Sequence, residues 1–117
     1  MHNYKHLKIW VRSMDLSEMI YRETVNFPSN EKFGLTSQLR RAATSIPSNI
    51  AEGTSRQSQK EFRHFLSISL GSCFEVNTQL ELAKRFNLIN FENTEKIFHE
   101  IDQLEKMIIG FMKSIKE

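Results

Sequence analysis

The residues that punctuate a chain are scarce here: 117 residues include two prolines and four glycines. So few enforced turns exclude many-stranded β architectures, which spend glycine and proline at each reversal, and favour long helices. Cys73 is the one cysteine, so no disulfide can form within the chain and a reducing compartment is expected. No apolar run approaches the roughly 20 residues that span a bilayer. The charged start MHNYKHLKIWVR also lacks the apolar stretch of a secretory leader. The expectation is a cytoplasmic protein with no membrane partner. An excess of one charge is missing as well. Sixteen Lys and Arg face 14 Asp and Glu, a formal net charge of +2, too small to imply a polyanionic partner by itself. What remains is 39% hydrophobic and 26% charged residues over one domain's length, so residues 1–117 read as a single globular unit.

Hydrophobic periodicity supplies the elements. Leu7, Trp10, Val11, Met14, Ile20, Tyr21 and Val25 recur at three- and four-residue steps, predicting a first helix over 7–25 that Phe27-Pro28 ends. A second begins near Thr36, whose hydroxyl suits an N-cap, and runs to Glu52, with Gly53 able to close it in the left-handed region. Ser58-Gln59-Lys60-Glu61 has capping-box spacing. The third helix that it opens carries Phe62, Leu66, Ser69, Cys73, Val76, Leu80 and Ala83 on one row. Asn90 caps a fourth, with Ile97, Ile101, Leu104, Ile108, Phe111 and Ile115 inward. Sustained steps of four and three joined by short loops predict an all-α, up-down-up-down antiparallel four-helix bundle.

The stretch QLRRAATSIPSNIAEG, residues 38–53, is helical in pattern except for Pro47. Its inward face is Leu35, Leu39, Ala42, Ala43, Ile46, Ile50 and Gly53, small enough for close helix approach. Pro47 cannot donate to the Ala43 carbonyl and displaces it, so a bend is expected, at about 3 kcal/mol in an isolated helix. A polar row, Gln38, Arg41, Ser45, Asn49, Glu52 and Arg56, runs beside that face. It is matched on the third helix by Ser72, Glu75 and Gln79, which leaves an Arg41–Glu75 pair geometrically open. Polar rows meeting at a seam fix register rather than add stability.

FLSISLGSCFEV, residues 65–76, is apolar nearly all round, with Phe65 and Ile68 to one side of the core row and Leu70 and Phe74 to the other. A bundle buries one stripe per helix, so a helix apolar on every side needs a further cover. A second copy of the chain is the expected cover, with Phe65, Ile68, Leu70, Phe74, Arg41 and Glu75 as interface.

These residues also carry a likeness. QLRRAATSIPSNIAEG followed by KEFRHFLSISLGSCFEVNTQL resembles the four-helix-bundle proteins encoded in intervening sequences of bacterial 23S ribosomal RNA genes. The accessory proteins of diversity-generating retroelements look like relatives. The likeness extends over LKIWVRSMDLSEMIYRETVNFPSNEKFGLTSQ and the last helix, and so over nearly the whole chain. Ser69 and Cys73 depart from it, standing where the family often has alanine or another small residue. The resemblance implies a ring-like homopentamer without catalytic activity, and relatives that bind nucleic acid and a reverse transcriptase through a basic surface.

Charge placement gives that implication residues of its own. The bundle end formed by residues 1–15, 46–66 and 105–117 holds nine Lys and Arg against five Asp and Glu, a balance of +4, and leaves −2 for the other half. His2, His6 and His64 fall at the same end. Lys5, Lys8, Arg12, Arg56, Lys60, Arg63 and His64 are the candidate phosphate-backbone contacts for RNA or DNA, repeated in an oligomer. A scaffold that docks a protein partner is the alternative. It would differ by resisting salt.

Enzyme chemistry has less to stand on. Glu61-Phe62-Arg63-His64 has Glu-x-x-His spacing, but a di-iron site needs a second such motif and two more inward glutamates. Glu61 is already explained by the capping box, so no metal or cofactor is expected. Cys73 lies on a core row as a small hydrophobe, and no glycine-rich phosphate loop is present. Trp10 and the nine phenylalanines read as packing, with Tyr4 as the weak exception.

Overall fold

A computed structural model gives the fold and describes residues 3–31 and 33–115. Four helices, α1 (Lys8–Thr24), α2 (Leu35–Thr54), α3 (Gln59–Arg85) and α4 (Phe91–Ser114), are accompanied by short 3-10 turns at Tyr4–His6 and Ser29–Glu31. Among the described residues there is no strand. Each helix packs on the next and α4 closes on α1, giving an antiparallel four-helix bundle 45 Å long and 24 by 20 Å across.

Local chemistry explains most boundaries. The Ser58 hydroxyl accepts from the Glu61 N–H at 3.1 Å, and the Asn90 side chain accepts from the Asn93 N–H at 2.8 Å. Both expected N-caps are therefore present, satisfying donors that a helix start leaves open. At α2 the expectation fails. Gly34 is the N-cap, the Glu31 carboxylate accepts from the Leu35 N–H at 3.3 Å, and Thr36 lies buried in the first turn. A longer acid thus reaches the helix start ahead of the threonine. At the other end α2 continues to Thr54, and Gly53 is not left-handed. Its role is close approach: a Cβ there would stand 2.8 Å from Phe62 Cδ1 and 3.0 Å from Phe65 Cβ. Asn87, at φ 60°, supplies the left-handed residue after α3.

The predicted inward rows of α2 and α3 are buried throughout, as are Ile97, Ile101, Leu104, Ile108 and Ile115 from the last helix row. The first helix is different. Val11, Met14, Tyr21 and Val25 are exposed, while Ile9, Ser13, Leu16, Ser17, Ile20 and Thr24 form the buried stripe. Hydroxyls can occupy it because helix carbonyls accept from them: Ser13 donates to Trp10 O at 2.7 Å and Thr24 to Ile20 O at 2.8 Å.

Ser17 does more. Its hydroxyl lies 3.1 Å from both the Ser13 carbonyl and the Ala43 carbonyl of α2. Ala43 O is the acceptor that an N–H at position 47 would have met, and proline has none. One turn along, Ser69 of α3 donates to Ile46 O at 2.9 Å. Ser45 and Ser72 bond at 2.8 Å, so the polar rows of α2 and α3 do meet, and Asn49 donates to Ser45 O at 2.8 Å. Around Pro47, helix α2 is held from both neighbours by hydroxyls.

Removing that hydroxyl while the acceptor stays buried should cost about 1–3 kcal/mol. Ser17→Ala is expected to lower the urea midpoint accordingly. The loss should shrink in a Pro47→Ala background, where α2 regains its own donor to Ala43. Equal losses in both backgrounds would disconnect Ser17 from the proline.

Candidate nucleic-acid interface

Antiparallel packing brings the start of α1, the α2–α3 loop, the start of α3 and the end of α4 to one end of the bundle. Tyr4 meets Trp10 edge-on at 5.3 Å, which lays the Tyr4–His6 turn, with Lys5, against α1. Phe62 meets Phe111 edge-on at 5.7 Å, and Arg63 donates to the Ile115 carbonyl, joining α3 to the end of α4.

The seven candidate contacts divide by engagement. Arg12 pairs with Glu100 at 2.8 Å. Arg56 pairs with Glu52 at 2.9 Å and lies 4.6 Å above the Phe65 ring. Arg63 is half-buried and committed to Ile115. Lys5, Lys8, Lys60 and His64 are exposed, as is Lys113. Those four lysines have no ion-pair partner among the described residues, and His64 sits edge-on to Phe65 at 5.7 Å. Exposed pairs such as Arg56–Glu52 contribute little, so a phosphate can displace the carboxylate. His2, Lys116 and Glu117, counted at this end from the sequence, lie outside the described residues.

The residues expected at an oligomer interface differ in exposure. Ile68 and Phe74 are exposed on the outer side of α3. Phe65 is half-buried beneath Arg56 and beside Gly53, and Leu70 packs on the core next to Ile109 and Met112. Phe65 leans onto α2 and Leu70 onto α4, which is why these two are half-buried. Arg41 and Glu75 are exposed and line one groove between α2 and α3, with no ion pair between them.

The sequence reading missed two surfaces. The outward residues of α1 meet α2 in an apolar groove of about 470 Å³ lined by Tyr4, Trp10, Met14, Tyr21, Pro47 and Ala51. Hydropathy alone places those α1 residues in the core, because the hydroxyl stripe beside them reads as polar, whereas Met14 and Tyr21 are exposed. At the end opposite the lysines, Val25, Phe33, Phe86 and Phe91 are exposed, Phe33 to 89%. With Phe74 also outward, the phenylalanines are not all packing residues.

Within the bundle, burial pushes the Cys73 thiol up to about 12, with the Glu105 carboxylate adding to the effect. A thiol so held stays protonated and inert at neutral pH. Glu105 is itself raised, first by burial and then by Asp102, and its Oε2 is buried without a hydrogen-bond partner among the described residues. Among the described residues no group of three His, Cys, Asp or Glu could hold a metal, and no helix is long and apolar enough to cross a membrane.

The profile of the family described as 23S rRNA-intervening sequence protein matches residues 5–110. A crystal structure described as a protein with unknown function from the S23 ribosomal protein family, from Bacteroides thetaiotaomicron, superposes with a TM-score of 0.81 at 29% identity. The match covers 91% of this chain and 99% of that one. No curated protein matches.

The buried oxygen of Glu105 makes ionisation unfavourable in the folded state. A folded pKa raised above the unfolded one gives stability that is present at low pH and lost as pH rises through the carboxyl range. Glu105→Gln should therefore match the wild type in acid and exceed it at neutral pH, as read from urea midpoints at the two pH values. A gain of equal size at both would mean that charge is not the cause.

Proposed function

This chain belongs to the 23S rRNA-intervening sequence protein family, and on that premise we propose that it acts without catalysis. In this reading it is a cytoplasmic homo-oligomer that binds the phosphate backbone of RNA or DNA through its basic end. The observation that carries the reading is the set of exposed lysines, Lys5, Lys8, Lys60 and Lys113, gathered at one end without ion-pair partners among the described residues. Arg12, Arg56, Arg63 and His64 flank them. A balance of +4 on one copy is a modest field; several copies held side by side make a strong one. Backbone binding of this kind neutralises phosphates, releases counterions and reads little sequence. A ring-like assembly, pentameric as the family likeness implies, belongs to the same proposal. So does kinship with retroelement accessory proteins.

A second reading has its own observation. Val25, Phe33, Phe86 and Phe91 are exposed at the opposite end, and exposed apolar clusters mark protein contacts. A protein partner such as a reverse transcriptase would dock there, and its binding would survive added salt.

Fluorescence anisotropy with labelled structured RNA and single-stranded DNA, from low to high salt, separates the two. Backbone binding should weaken linearly on a log–log salt plot. Replacing Lys5, Lys8 and Lys60 with glutamine should cut the slope by about 2 on a single strand, at roughly 0.7 per phosphate contact. No binding at low salt retires the nucleic-acid reading.

A further inference from the structure

We infer that the start of α2 forms a second anion site, which holds the terminal phosphate of a nucleotide against Arg40 and Arg41 and its base against Phe33. The site lies at the end of the bundle opposite the lysines, so it goes beyond backbone binding at the basic end and does not depend on it.

The cavity, of about 370 Å³, sits between α1 and the first turns of α2 and is lined by Tyr21, Phe33, Thr36, Ser37, Arg40 and Arg41. That volume is in the range of small-molecule pockets and has room for more than a phosphate group. The lining is rich in donors. Neither arginine has an ion pair among the described residues. Arg40 is held in place: its Nε donates to Thr24 Oγ1 at 2.8 Å and an Nη to the Tyr21 carbonyl at 3.4 Å, with the guanidinium 4.4 Å above the Tyr21 ring. Those bonds leave other N–H groups of its guanidinium open. Arg41 donates to Ser37 Oγ at a long 3.5 Å. Planar guanidinium groups match paired phosphate oxygens in a way that lysine does not.

The helix start adds donors of its own. Gly34 gives α2 no side-chain cap. Glu31 accepts from the Leu35 N–H, and its carboxylate is not part of the cavity lining. The Thr36 and Ser37 N–H groups have no partner within the helix, and the positive end of a 20-residue helix lies there. A separate observation points to a ligand. Thr36 is 8% exposed, and its hydroxyl is buried with no hydrogen-bond partner among the described residues. A buried hydroxyl left unmet is costly, and a phosphate oxygen in the cavity would accept from it. The aromatic lining selects the rest of the ligand. Phe33 and Tyr21 are both exposed, and a base of any identity stacks on such rings. A nucleoside monophosphate uses both features, and the same group ends a strand that carries a 5′ phosphate.

Isothermal titration calorimetry of the full chain with AMP, inorganic phosphate and adenosine tests this, with circular dichroism as the folding control. AMP should bind at least about tenfold tighter than either fragment. Arg41→Gln and Thr36→Val should each weaken AMP by about tenfold with helix content unchanged. Phe33→Ala should weaken AMP and leave phosphate as it was. Replacing Lys5, Lys8 and Lys60 with glutamine should change none of these affinities. A short oligonucleotide with and without a 5′ phosphate identifies the source: a phosphorylated strand preferred over AMP assigns the site to strand ends, and the reverse assigns it to free nucleotides. No binding of AMP overturns the site. AMP binding that is lost with the three lysines, yet kept in Arg41→Gln and Thr36→Val, belongs to the basic end and overturns this inference while leaving the proposed function standing.

Discussion

The bundle depends on one satisfied carbonyl. Pro47 removes a donor from the middle of α2, in a helix whose inward face is entirely buried, and an unmet Ala43 oxygen there would be costly. Ser17 meets it from α1. The repair crosses between helices, so it does more than cancel a loss: it fixes the height of α1 against α2. Ser69 on Ile46 and Ser45 on Ser72 do the same for α3. Apolar contacts tolerate sliding by a turn. Directed bonds between particular hydroxyls and carbonyls do not. The small residues of QLRRAATSIPSNIAEG let three helices come close enough for such short side chains to reach.

That register is what positions everything outside the core. It brings Lys5, Lys8, Lys60 and Lys113 to one end, and it sets the aromatic residues of the α1–α2 and α3–α4 connections at the other. It also sets Arg41 beside Glu75 in the groove between α2 and α3. Charge, aromatics and apolar sides are segregated by the antiparallel topology. Each segment alone is unremarkable in composition.

Much of this was legible in the sequence, for a stated reason. On α2, α3 and α4 the inward rows consist of aliphatic and small residues, so the 3.6-residue period is visible and burial follows it. Capping signals at Ser58 and Asn90 are local, and they hold. On α1 the buried stripe mixes Ile9, Leu16 and Ile20 with three hydroxyl residues, while the exposed side holds Val11, Met14, Tyr21 and Val25. A hydropathy pattern then points to the wrong face, since it cannot know that Ser17 has an acceptor waiting on another helix. Gly53 misled similarly: a glycine near a helix end suggests left-handed backbone, whereas here it makes room for Phe62 and Phe65. The α1–α2 groove went unread for the same reason as the α1 core.

Symmetry bears on what the proposed basic end could do. A two-fold contact perpendicular to the bundle would point the basic ends of two copies in opposite directions and leave each field as weak as in the monomer. The ring-like assembly proposed above, about an axis along the bundle, would keep every basic end on one side. The charge would then accumulate over a single surface, where a phosphate backbone could meet several lysine clusters in succession. The aromatic ends would gather on the opposite side by the same operation. For a chain of formal charge +2, the arrangement of copies rather than the net charge of one would set the attraction for a polyanion.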